Sequence, residues 1–419
     1  MRATRGIHSA HGSRALAALR RRPMVRALAE ACATRGLSAW IVGGALRDAL
    51  LGLPISEIDA AVNGDPEPPA RALEAAGRGR AVFLSKDRPG PRVFRVAAAQ
   101  SELDLAALEG ATIGEDLARR DFTVNALALP VSGGALVDPF GGAADLAAGT
   151  LRGVRERNFR DDPLRTLRAA RLVATHALTP DARLLRWSRA AAPGLAHVAS
   201  ERIAAELAKL LAAPRVADAL GWAARAGILP EALWIALRPA RAAALARAAS
   251  ALDAAGVRAL PGDRRRRLRL AWLAARVASD EAGARRWLAD RRWGRRESDE
   301  AARLVGLAAR AAAAPRGDAA WRWVLDAGGL ARDAARLATL LAPRSRAAAA
   351  RLARLARRAP ARVSVSGRDV MEWTGLAPGP RVGELLAGLQ VAAAAGRVTN
   401  RKDARHWLSV QVSKGRKPL

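Results

Sequence analysis

The sequence predicts an α+β protein: a small sheet-bearing region near the N-terminus followed by an all-helical remainder. Three observations carry this. Gly-rich turns and short β-like runs crowd into residues 36–150, apolar residues at helical spacing fill the chain from Asp161 onward, and the composition switches near residue 150. At 419 residues, 51% of them hydrophobic, the chain is long enough for two or more packed units at roughly 100–200 residues per domain.

The β-like runs are Ala39–Val42, Ile58–Val62, Ala81–Leu84, Val93–Ala97, Leu103–Ala106 and Ala135–Val137. In the helical zone Ile203, Leu207, Leu210 and Leu211 show the spacing of one buried face. Its breaks fall at Thr179-Pro180, Ala192-Pro193-Gly194, Pro214, Gly227–Pro230, Pro261-Gly262, Pro315-Arg316-Gly317 and Pro343, where Pro or Gly ends a helix, so that ten or so helices are expected. A last turn cluster, Gly375–Pro380, begins a distinct terminal segment. The expected divisions are a basic extension with a first helix (1–35), the sheet region (36–150), two helical regions (151–230 and 231–360) and a helical tail (361–419).

The formal charge of +31 and pI near 11.8 imply a polyanionic partner, nucleic acid first, because clustered cations gain affinity by releasing counterions from phosphates. An Ala- and Arg-rich coding bias accounts for the charge equally well. A single cysteine, Cys32, excludes a disulfide framework and a Cys-based zinc site, reads as core, and fits a reducing cytoplasm. Arg interrupts every Ala/Leu stretch before the ~20 residues a bilayer needs. The acid-free start, Met1–Arg22, has the charge of a transit peptide but lacks a secretory apolar core, and reads as a frayed extension.

The sharpest local signal is Ile41-Val42-Gly43-Gly44-Ala45-Leu46-Arg47-Asp48, a β-like run entering a helix through two glycines. Glycine lets backbone approach a triphosphate, the helix start offers free N–H groups, and Arg47 adds a charged fork. Downstream, Glu57-Ile58-Asp59 puts two carboxylates on one strand face, able to grip a pair of Mg²⁺ ions. Two-metal catalysis needs that arrangement, and Asp104 in Leu103-Asp104-Leu105 is the natural third carboxylate. Taken alone, the glycines fit any strand-to-helix turn and Glu57 and Asp59 fit a turn after Pro54.

Together these segments resemble the class II tRNA nucleotidyltransferase (CCA-adding enzyme) and bacterial poly(A) polymerase family. Gly43–Gly52 followed by an acid-x-acid pair is similar to its signature, and Glu115–Ala126, with Arg119, Arg120, Asp121 and Asn125, to its ribose- and phosphate-contacting motif. Asp138-Pro139-Phe140-Gly141-Gly142 with Asp145-Leu146 resembles its hinge between head and neck. Asp161–Arg171 resembles the neck helix that reads the incoming base, where Asp162 and Arg165, at i and i+3 on one helix face, stand in for a template, with Arg168 and Arg171 extending that face. Ser200–Ile203 with Glu206-Leu207 resembles a body helix, and Gly367–Pro380 with Val382–Leu386 the tail. The stretch 231–360 matches only as generic helix.

The resemblance implies a polymerase-beta-like head with a small mixed sheet, then helical neck, body and a tRNA-binding tail. It also implies an enzyme that adds CCA, or part of it, to the 3′ end of tRNA from CTP and ATP, with Glu57 and Asp59 holding two Mg²⁺. Gly43, Gly44, Arg47 and Asp48 then belong to the nucleotide site. Poly(A) polymerase, a CC- or A-only enzyme, and a catalytically silent RNA-binding paralogue are the alternatives. The last is motivated by departures from the family pattern: Glu57 for a usual Asp, Ala60-Ala61-Val62 where a small polar residue is common, Glu109 for an Arg, and Asp161 for a Glu. His8, His11, His176, His197 and His406 form no His-Asp pair, so the phosphohydrolase domain of some relatives is not expected. Trp222, Trp234, Trp272, Trp287, Trp293, Trp321 and Trp323 sit in helical runs, where packing is the default role.

Overall fold

The computed structural model describes residues 10–55, 57–84, 92–99, 101–233, 239–254, 256–358 and 363–415. They fall into two compact units, Met1–Ser250 and Ala251–Leu419.

The first unit is built on a six-stranded mixed sheet of order β3-β4-β5-β2-β1-β6, with β1 Ala39–Val42, β2 Glu57–Val62, β3 Arg80–Phe83, β4 Val93–Ala98, β5 Ser101–Ala107 and β6 Ala128–Pro130. Five of the expected runs became these strands within a residue or two. The sixth, Ala135–Val137, contributes only an isolated bridge from Val137 to Ala128, and β6 takes the edge instead. Only the β2–β5 pair is parallel. Ile41, Ile58, Ala60, Phe94, Leu103 and Leu105 are buried, and so are Val42 and Ala61 on the other face, which pack with Leu117, Ala126 and Ala128. Cover on both faces at β1 and at the end of β2 explains why these read as continuous apolar runs. It also explains Ala60-Ala61-Val62: all three lie in the interior at 2% exposure or less.

Beyond the sheet, Thr179-Pro180, expected as a plain helix break, is a two-residue strand β8 pairing in parallel with β7, Thr150–Leu151. Fifteen α-helical segments run from Leu164 onward among the described residues, against the ten or so expected, with further corners at 278–280, 291–294 and 328–330, the first of them without Gly or Pro. Pro230 and Pro193 sit inside the first turns of helical segments rather than ending them, as a missing N–H permits.

The second unit is helical. Trp272, Trp287, Trp293 and Trp323 are buried in it, Trp321 is half-buried, Trp222 is buried in the first unit, and Trp234 lies outside the described residues. The tail has its own apolar cluster of Val370, Val382, Leu385, Leu389, Val398 and Leu408. Gly375–Pro380 does not begin this tail but lies between two of its helices, Gly367–Thr374 and Pro380–Ala394; Gly375 ends the first in a left-handed conformation (φ 70°). Cys32 is a free, buried thiol, pushed up to about 11 by that burial. Among the described residues no helix is long and apolar enough to cross a membrane.

Candidate active site

Two strand registers assemble the site. In the antiparallel β1–β2 pair Val42 lies opposite Asp59, so the turn that follows Val42 begins beside that carboxylate. In the parallel β2–β5 pair Asp59 lies opposite Asp104. Gly43 has φ 72° and ψ −136°, and a Cβ built there would lie 2.9 Å from Arg120 Nη1 and 3.6 Å from Asp59 Oδ2, so only glycine satisfies both the backbone and the neighbours. The helix it opens, Gly44–Leu50, has seven residues, too short for much of a dipole, and the positive charge facing the cavity comes from side chains.

A cavity of about 750 Å³ opens over this turn. Of the residues singled out from sequence, Gly43, Gly44, Arg47, Glu57, Asp59, Arg119, Arg120, Asp121, Asn125, Arg165, Arg168 and Arg171 line it, whereas Asp48, Asp104 and Asp162 do not. Glu57 and Asp59 project from the open face of β2, with Ile58 between them turned into the core. They are strand residues and cap no turn. Crowding by the surrounding protein raises the Asp59 pKa above the ordinary carboxylate value; Arg120 opposes the shift, and the charges of Asp104 and Glu57 reinforce it. Asp104 is drawn to a different partner: Arg95 on β4 grips both its oxygens, at 2.7 and 2.8 Å, and also pairs with Glu102 at 3.1 Å. Among the described residues no group of three or more His, Cys, Asp or Glu side chains is gathered as for a metal ion.

The motif around Arg119–Asn125 forms the opposite wall. Asp121 is 5% exposed; its Oδ1 accepts from Phe122 N at 2.8 Å and Asn125 Nδ2 at 3.0 Å, while Arg168 pairs with Oδ2 at 3.1 Å without a well-aligned hydrogen bond. Burial works against its charge, but Arg168, Asn125 and Arg165 more than offset it, and the pKa falls below the ordinary value. Arg120 is held by Asp116, at 3.0 Å, and its carbonyl by Asn158, at 2.7 Å. Arg119 pairs with Glu109, the residue that departs from the family pattern, at 2.7 Å. Asp138, in the expected hinge, accepts from the backbone of Gly142 and Ala143 at 2.7 and 3.0 Å, and a Cβ on Gly142 would meet Thr123 O at 2.1 Å.

The third wall is the neck helix Leu164–His176. Here the structure corrects the sequence reading, because Asp162 is not on the helix. It lies before the first turn in extended conformation (φ −137°, ψ 91°), so the i, i+3 argument does not hold for it. Pro163 is the reason, since it excludes helical backbone at the preceding residue. Asp162 is held instead by Arg202 of the helix Ser200–Ala212, at 3.1 and 3.2 Å, and Arg165 donates to the Arg119 carbonyl at 2.6 Å. Arg171 is oriented by Glu206, at 2.7 Å. Sequence reading missed Asp116, Asn158, Glu206 and Arg202 as supports, and missed the contact of His176 Nε2 with Asp48 Oδ1 at 2.9 Å. No motif marks most of these contacts, because Asn158 holds backbone carbonyls and Glu206, Arg202 and His176 meet partners remote in sequence; Asp116, four residues before Arg120, is the one that local spacing could have found.

Comparison with known proteins completes the picture. The model of the poly A polymerase head domain matches residues 39–152. The CC-adding tRNA nucleotidyltransferase of Geobacter sulfurreducens is 34% identical over 413 residues, covering 92% of this chain and 95% of that one. The CCA-adding enzyme of Geobacillus stearothermophilus is 32% identical over 415 residues, covering 89% and 93%. A crystal structure of the Bacillus stearothermophilus CCA-adding enzyme in complex with CTP superposes with a TM-score of 0.70 at 25% identity, covering 94% of this chain and 98% of that chain. With a glycine turn, a strand-borne carboxylate pair and an arginine-bearing helix facing one cavity, and with relatives aligned along nearly its whole length, the chain belongs to the nucleotidyltransferase family of tRNA CCA-adding enzymes and bacterial poly(A) polymerases.

Proposed function

We propose that the cavity binds CTP or ATP together with the 3′ end of a tRNA, and that the chain adds C and A residues to that end without a nucleic-acid template. The observation that carries this reading is the convergence of Gly43, Gly44 and Arg47 with Glu57 and Asp59 and with the cavity face of the neck helix around a single space. The names of the relatives and the CTP in the related crystal structure support it.

Glu57 and Asp59 fit magnesium: two carboxylates share a strand face, and Asp59 is pushed up first by burial and then by the charges of Asp104 and Glu57, whose repulsion a cation relieves. Mg²⁺ bound there would supply activation of the attacking hydroxyl and neutralisation of the triphosphate. Arg47 and Arg120 hold the triphosphate, each pre-aimed by an acidic neighbour, Asp48 at 2.8 Å and Asp116 at 3.0 Å. Asp121 and Asn125 face the ribose, and Oδ2 of Asp121 keeps acceptor capacity for a hydroxyl. Arg165 and Asp162 read the base edge, for which Asp162 exchanges Arg202 for the base. In the reaction the 3′ oxygen bonds to the α-phosphorus and the bond to pyrophosphate breaks, leaving the RNA one nucleotide longer. Basic helices beyond Arg171 contact tRNA phosphates, which position without reading sequence. Neck, body and tail divide near residues 150, 230 and 360, and the enzyme works in the cytoplasm.

A second reading is favoured by one observation: among the relatives are CC-adding and A-adding enzymes. Incorporation assays with tRNA lacking its terminus, supplied with CTP, ATP or both, separate the cases. CTP alone giving two additions and both giving three supports full CCA addition; arrest after two identifies a CC-adding enzyme. Long A tracts on any RNA with CTP ignored would overturn both.

A further inference from the structure

His176 is the last residue of the neck helix, fixed there because Ala177 turns left-handed (φ 58°). It lies outside the cavity and is 9% exposed, out of reach of a nucleotide. Its Nε2 meets Asp48 Oδ1 at 2.9 Å, the same oxygen that accepts from Arg47 Nε at 2.8 Å. Arg47 Nη1 then donates to Asn125 Oδ1 at 2.7 Å, Asn125 Nδ2 to Asp121 Oδ1 at 3.0 Å, and Asp121 pairs with Arg168, two turns before His176 on the same helix. The contacts form a closed ring that leaves the neck helix at one end and returns to it near the other. Two of the three donor-bearing nitrogens of the cavity-lining Arg47 are occupied by it.

We infer that His176 is a positioning residue for nucleotide binding: through Asp48 it sets the direction of Arg47 and fastens the arginine-bearing helix to the sheet region. The inference rests on the reading of the cavity as a nucleotide site. The charged groups facing the imidazole are Asp48 and Arg47 on the turn helix and Arg171 on its own helix. Burial holds its pKa below the ordinary value, with Asp48 opposing and Arg47 and Arg171 reinforcing. In the neutral ring Nε2–H donates to the carboxylate, and Nδ1 shares the single Thr175 hydroxyl hydrogen, 2.6 Å away, with the Arg171 carbonyl that the same hydroxyl reaches at 2.9 Å. A second proton makes Nδ1 a donor, and the cation adds to the positive charge beside Arg47.

The test is calorimetric titration of the full chain with CTP, beside steady-state incorporation of CTP into tRNA lacking its terminus. His176→Ala should weaken CTP binding and raise KM about tenfold, the loss expected from one charge-assisted hydrogen bond, with kcat changed less than about twofold. His176→Gln keeps a donor that does not titrate; it should restore affinity to within about threefold. Melting temperatures confirm that both variants are folded. Unchanged CTP affinity in a folded His176→Ala protein would overturn the inference, as would equal impairment of both variants. A wild type that binds CTP but incorporates nothing overturns the proposed reaction alone, leaving the variants to decide the role of His176; a wild type that binds no nucleotide overturns both.

Discussion

Replacing Arg168 by Met tests the pairing on which the cavity wall depends. Asp121 is 5% exposed and its charge is held by Arg168, whereas Arg168 keeps 37% of its side-chain surface open to solvent. Breaking a fully buried pair costs about 3–5 kcal/mol; with one partner this open, screening brings the figure to about 2 kcal/mol. That corresponds to roughly thirtyfold faster local opening. Hydrogen exchange on peptides covering 164–176, in the full chain and corrected for intrinsic rates, reads it. The pH dependence is the sharper part. In the wild type the Asp121 pKa is depressed, so its contribution is present above the unfolded carboxylate pKa and is lost as pH falls through the folded value. Without Arg168 burial dominates and the pKa rises, so the variant is most destabilised at neutral pH, and its deficit shrinks as acid protonates Asp121. A variant less than about threefold faster than wild type at pH 7, or one whose deficit is the same at pH 5, would refute the argument.

Asp59→Asn should lower nucleotide incorporation by at least about a thousandfold without lowering the melting temperature, because it removes one of the two carboxylates proposed to hold metal, and from an open strand face. Glu57→Asp should stay within about tenfold of wild type and Glu57→Ala should lose about a hundredfold or more, both read in the same assay, since only the second removes the charge. Gly142→Ala drives a Cβ to 2.1 Å from Thr123 O and should cost about 1–3 kcal/mol of stability, seen as a lower melting temperature.

The short runs that became β1 to β5 were legible because each is a short apolar run, four of the five with β-branched residues and the fifth, Leu103–Ala106, with strict apolar alternation at Leu103 and Leu105. β6, Ala-Leu-Pro, carries no such signal; it is a strand because β1 needs an edge partner. The glycine turn and the carboxylate pair were legible because their chemistry is local: Gly43 needs its backbone, and Glu57 and Asp59 need only the strand period. Asp162 was misplaced although Pro163 stands beside it, because the three-residue spacing to Arg165 outweighed the restriction that proline imposes. Asp104 illustrates a different limit. The strand period puts it on the face opposite Leu103 and Leu105, but its place beside Asp59 and its capture by Arg95 depend on which strands lie on either side of β5, and no motif announces those neighbours. His176 and Asp48 are 128 residues apart, and neither is unusual alone.

Nine basic and seven acidic side chains line the cavity, an excess of about two positive charges in a chain that carries +31. Most of the molecule's charge excess therefore lies outside the pocket, and the two binding events should respond differently to ionic strength. A triphosphate seated among paired, partly buried charges is weakly screened, while RNA held by dispersed arginines gains its affinity from counterion release and loses it steeply as salt rises. Moderate salt should strip the polynucleotide and leave the mononucleotide in place, so that product dissociation, rather than substrate loading, becomes the step that ionic strength controls.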